Sequence, residues 1–106
     1  MTVYDLYGSL SVEIDAMKSR LEIALGIKFE ARESGHQGEY FQSGSISGEH
    51  LVLKLNTDML DSEPAELNFP EYAVLLYLND TPRAAELQEV VERIGDLVLL
   101  RHENLE

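Results

Sequence analysis

Along residues 10–25 the apolar positions are Leu10, Ile14, Met17, Leu21 and Leu25. At 100° per residue all five fall within roughly 80° of one another, opposed by Glu13, Asp15, Ser19 and Glu22. The spacing predicts a helix capped by Ser9 or Ser11 and stopped by Gly26. Residues 3–7 ahead of it read as a short strand closed by Gly8. Beyond Gly26 the period changes from 3.6 to 2. Ile27, Phe29 and Ala31 alternate with Lys28, Glu30 and Arg32, and Tyr40 and Phe41 are adjacent aromatics on opposite faces of a second strand. In a third strand Leu51, Leu53 and Leu55 share one face. The Gly-containing connections at residues 34–38 and 45–49 suit hairpins, so these three strands form an antiparallel meander.

Residues 72–78 are apolar on both faces and predict a buried strand. Thr81 then reads as a helix cap with Pro82 in the first helical position. This second helix carries Ala84, Leu87, Val90, Val91 and Ile94 on one side, sets Glu89 four residues before Arg93, and ends at Gly95. A final strand covers residues 97–100. Strand, helix and strand with a crossover of this length predict a right-handed parallel βαβ unit. The fold class expected is α+β, with a mixed five- or six-stranded sheet, two helices and the order (β)α-βββ-βαβ. Residues 1–106 read as one domain, with Leu105 and Glu106 resembling a cloning remnant and given no weight. Two helices packed on one side would leave part of the opposite sheet face exposed and apolar, a surface for a partner or for self-association.

Composition narrows the function classes. The chain has 106 residues, 44% of them hydrophobic, which suits a globular domain rather than a disordered one. Its 20 acids against 8 bases give a formal charge of −12, a field that repels nucleic acid and anionic membranes and speeds encounter with cations. The expectation is a basic protein partner, no nucleic acid and no membrane. With no cysteine, disulfides, thiolate zinc sites and a Cys nucleophile are excluded. No signal-peptide pattern opens the chain and no apolar run is long enough to span a bilayer, so a cytoplasmic location is expected.

The motifs point away from catalysis. His36, His50 and His102 form no i, i+4 pair and read as surface histidines rather than metal ligands. In the stretch GSISG, residues 44–48, Ile46 stands where a nucleophile elbow needs its serine. GHQG, residues 35–38, lacks the helix that a phosphate-binding loop requires. Paired carboxylates remain open in principle, but nothing singles out a pair. No catalytic residue, metal ligand or cofactor is assigned.

The stretch LGIKFEARESGHQGEYFQSG, residues 25–44, followed by LVLKLN and later by AVLLYLNDT, resembles a group of small bacterial proteins. These are encoded beside polymorphic toxins, including those of contact-dependent inhibition systems, and look like immunity proteins. The resemblance implies a non-enzymatic cytoplasmic binder that occludes a cognate toxin domain, its acids opposing a basic cleft. Residues 56–72 hold five acids and no base, between two apolar segments. Read as a recognition loop, they offer Asp58, Asp61, Glu63, Glu66 and Glu71 for the field, with Tyr40, Phe69 and Tyr72 as apolar anchors. Read as a plain connection, the same residues carry the chain to the βαβ unit, with Leu60, Leu67 and Phe69 tucked beneath as a satellite core. The alternative function is a homodimeric structural or regulatory protein using an apolar sheet face.

Overall fold

Both helices and six strands form in the order that the periodicity predicts. The computed structural model describes residues 2–10, 13–34, 38–44, 48–57 and 64–105. In chain order the elements are β1 (Thr2–Ser9), α1 (Ile14–Leu25), β2 (Glu30–Ser34), β3 (Gly38–Gly44), β4 (His50–Leu55), β5 (Val74–Thr81), α2 (Ala84–Ile94) and β6 (Val98–Leu105). They build a single α+β sheet in the order β2-β3-β4-β5-β1-β6.

The meander is present as expected, β2 to β3 to β4, and β5 joins it antiparallel to β4. The expected mixed sheet is corrected. β5 and β6 do run parallel to each other, but β1 lies between them and pairs antiparallel with both. Every neighbouring pair among the described strands is therefore antiparallel. An insertion of this kind is a long-range event: Tyr7 pairs with Leu76 on one side and Leu99 on the other.

The same pairing moves the element boundaries. The ladder carries β1 to Ser9, which faces Val74 and whose carbonyl accepts the Ala73 N–H. α1 consequently starts at Ile14, and Leu10 is 69% exposed instead of joining the core stripe. Gly26 does stop the helix, in the left-handed conformation at φ 66°, its N–H donating to the Glu22 carbonyl. Pairing with Val3 likewise draws Thr81 into β5, so that α2 begins at Ala84 and Pro82 precedes it.

The helices lie together on one face of the sheet. Met17 and Leu21 of α1 and Leu87 and Val91 of α2 bury against Tyr7, Leu51, Leu53, Val74, Leu76 and Leu78. Burying each of these aliphatic side chains contributes about 1.5–3 kcal/mol. The register places Leu6, Gly8, Leu75 and Tyr77 on the opposite face, where Leu6 and Leu75 are also buried. That face is not left open and apolar, because residues 64–73 lie across it. None of the helices among the described residues is long and apolar enough to cross a membrane.

Candidate functional site

Asn56 holds the long connection to the sheet. Its backbone N–H donates to the Ala73 carbonyl at 2.9 Å, and its side-chain Nδ2 donates to the carbonyls of Phe69 at 2.9 Å and Tyr72 at 2.8 Å. Its Oδ1 accepts the Glu66 N–H at 2.9 Å. One amide side chain thus satisfies three backbone groups of a segment that has no ladder of its own.

Two further contacts fix this segment over the sheet. Glu66 accepts a 2.6 Å hydrogen bond from the Tyr77 hydroxyl and pairs with the Arg101 guanidinium at 3.1 Å. Burial, followed by the bond to Glu66, pushes the Tyr77 hydroxyl well above its ordinary pKa. Arg101 reaches this face through a β-bulge. The register of β6 shifts between Leu99, opposite Tyr7, and Arg101, opposite Leu6, so Leu100 and Arg101 both project towards the connection. Tyr72 settles over Gly8, where a Cβ would sit 2.7 Å from Leu100 Cδ1 and 2.8 Å from the Tyr72 ring.

The residues picked from sequence therefore divide. Glu66 is held by Tyr77 and Arg101. Phe69 and Tyr72 are half-buried and meet edge to face at 6.5 Å, supporting the connection from within. Glu71 is exposed. Leu67 is exposed rather than tucked beneath, while Asp58, Leu60, Asp61 and Glu63 lie outside the described residues. Tyr40 is half-buried at the other end of the sheet and joins none of these.

What Tyr40 does border is an open groove of about 410 Å³ where α1 stops short of the β2–β3 wing. The apolar part is formed by Ile14, Ala31, Phe41 and Leu55, with Leu55 44% exposed although it shares a face with buried Leu53. Asp15, Glu33 and Glu39 rim it, all exposed. Arg32, the one base in the lining among the described residues, pairs with Glu30 at 3.8 Å, and Lys18 lies 5.3 Å over the Phe41 ring while pairing with Glu22 at 3.8 Å. An apolar floor inside an acidic rim favours a ligand that is itself apolar and cationic. Sequence reasoning missed this place because it depends on how far α1 reaches over the sheet.

The remaining polar clusters serve the fold. Glu49 accepts bonds from Thr81 at 2.6 Å and from Arg83 at 2.8 Å, and the Arg83 bond foremost holds its carboxyl below the usual range. His102 hydrogen-bonds Asp5, a buried carboxylate on the helix face. The Asp5 Oδ2 and Tyr7 hydroxyl are buried without a hydrogen-bond partner among the described residues. His50 Nδ1 lies 2.8 Å from the Gly48 carbonyl, and His36 lies outside the described residues. No group of three or more metal-ligating side chains gathers among the described residues.

Fold and groove define a class: an α+β domain with an open antiparallel sheet, a strap across one face and an acid-rimmed apolar groove at one wing. No protein-family model matches the chain, and no curated protein matches it.

Proposed function

We propose that the protein is a non-enzymatic acidic binding protein, most concretely an immunity protein that occludes a basic toxin domain. One observation carries the reading: the groove at the β2–β3 wing joins exposed apolar surface at Ile14, Ala31, Phe41 and Leu55 to the acids Asp15, Glu33 and Glu39. Acids of that kind steer a cationic partner into encounter, and desolvated apolar contacts then hold it. The formal charge of −12 extends the steering field over the whole molecule. Tyr40 pairs with Arg32 on the sheet face opposite Phe41, so Phe41 is the aromatic anchor inside the groove and Tyr40 borders it from the other side. The acids that the sequence offered in the long connection take a smaller part, since Glu66 is engaged within the fold.

The test uses three tagged baits in lysate of the native host: the natural chain, a groove variant carrying Asp15→Lys, Glu33→Lys and Glu39→Lys, and a connection variant carrying Asp58→Lys and Asp61→Lys. Stoichiometric capture of one basic protein by the natural and connection baits, lost on the groove bait, is the expected result. That protein, expressed alone, should be toxic, and co-expression of the natural chain should relieve the toxicity. If all three baits are salt-resistant homodimers that capture nothing, the immunity reading falls.

A further inference from the structure

The groove lining includes Ala31, Arg32 and Glu33 of the edge strand β2, and this sets the form of its occupant. β2 is the terminal strand of the sheet order and, among the described strands, pairs with β3 alone, so one row of its backbone N–H and C=O groups faces away from the sheet. The β2–β3 register runs without a shift from Glu30 opposite Gln42 to Ser34 opposite Gly38, and β2 contains neither proline nor glycine. The opposite edge differs: the bulge at Leu100 interrupts β6. Such interruptions blunt an edge against pairing, and a regular edge remains a template. Among the described residues β2 carries charge at its edge, with Glu30, Arg32 and Glu33 all exposed. Two acids against one base, the base already paired with Glu30, disfavour a second acidic strand and admit a basic one.

Resting on the binder reading above, we propose that the partner enters as an extended basic strand that pairs with the β2 edge and seats alternate side chains in the groove. The register assigns its residues. Ala31 and Glu33 share the groove face with Phe41, so the incoming strand places an apolar side chain beside Ala31 and a Lys or Arg beside Glu33. A second Lys or Arg faces Glu30 on the other side of the sheet. Ala31, small and exposed, leaves the room over Phe41 that the apolar residue fills.

Three synthetic peptides of one composition, lysine and valine with a single tyrosine, test this. The first, the strand-period peptide, places lysine opposite Glu30, valine opposite Ala31 and lysine opposite Glu33, the second arranges the same residues at helix period, and the third is the first with every backbone amide N-methylated. Binding to isotope-labelled full-length protein is followed by amide shifts and amide exchange at low salt. The strand-period peptide is expected to bind at least roughly tenfold tighter than either of the others and to slow exchange at residues 30–34. Glu33→Lys should weaken it by a similar factor. Equal binding of the N-methylated peptide, or tighter binding of the helix-period peptide, overturns the strand but keeps the groove if Ile14 and Phe41 still shift. Failure of all three peptides to bind overturns the strand as well. The groove-reversed bait then decides separately whether the binder reading survives.

Discussion

Asn56 and Tyr7 are the residues whose removal should behave least as their chemistry suggests. Asn56 is a small polar side chain, yet it bonds the backbone of Glu66, Phe69 and Tyr72 from within a buried position. Asn56→Ala leaves those groups without partners and should cost about 2–4 kcal/mol, measured by urea unfolding against the exposed control Glu71→Ala. A loss equal to the control would mean that the connection is held by its other contacts. Tyr7 is fully buried, and its hydroxyl has no hydrogen-bond partner among the described residues. Burial first, then the Asp5 and Glu92 carboxylates, raise its pKa above the ordinary 10.0. The unfolded chain therefore gives up this proton first, so stability is complete below about pH 10 and falls as the pH rises past it. Tyr7→Phe should match the natural chain within about 1 kcal/mol at pH 7, and should lose roughly 1.4 kcal/mol less per pH unit above pH 10. A large loss at neutral pH would reveal a partner for the hydroxyl.

Among the elements, the helices and strands were legible in the sequence because each follows a local period. Leu21 and Leu25 in α1, Leu87 and Val91 in α2, and Leu51 and Leu53 in β4 all fall where periodicity puts them. What could not be read depends on partners far along the chain. Nothing local tells Leu10 that Ser9 will pair with Val74, or tells β1 to enter between β5 and β6. The role of residues 64–73 was hidden for the same reason: its signals are one asparagine, one bulge and a glycine in another strand. Gly8 gives the sharpest test of that packing. An added methyl would meet Leu100 Cδ1, which can yield, and the Tyr72 ring, which is rigid. Gly8→Ala should cost about 1–3 kcal/mol in thermal unfolding. In a Tyr72→Ala background the same change should cost measurably less, since the obstructing ring is gone. An unchanged cost in both backgrounds would remove Tyr72 from the account.

For the molecule as a whole, charge opposes itself. The arginines Arg20, Arg32, Arg83, Arg93 and Arg101 all pair with carboxylates, and the closest of these pairs, Arg83 with Glu49, is at 2.8 Å. Against these stand 20 acids and only 8 bases on a chain whose radius of gyration is 12.9 Å, so a net charge of −12 is held on a small surface. Exposed pairs such as Glu89–Arg93 contribute little, about 0.3–0.5 kcal/mol, whereas the net repulsion is summed over the surface. Salt should then act in opposite directions on folding and binding. Raising NaCl from about 0.02 M to about 0.5 M shortens the screening length from roughly 20 Å to roughly 4 Å. The midpoint of thermal unfolding should rise, because repulsion is relieved more than ion pairs are lost. The association rate with a purified basic partner should fall on the order of tenfold, because the same field no longer steers. Both are measurable on one preparation, by scanning calorimetry and stopped-flow fluorescence. A midpoint that falls with salt would mean that the arginine pairs outweigh the surplus acids. An association rate indifferent to salt would mean that the acids around the groove guard the β2 edge against self-pairing and do not draw a partner to it.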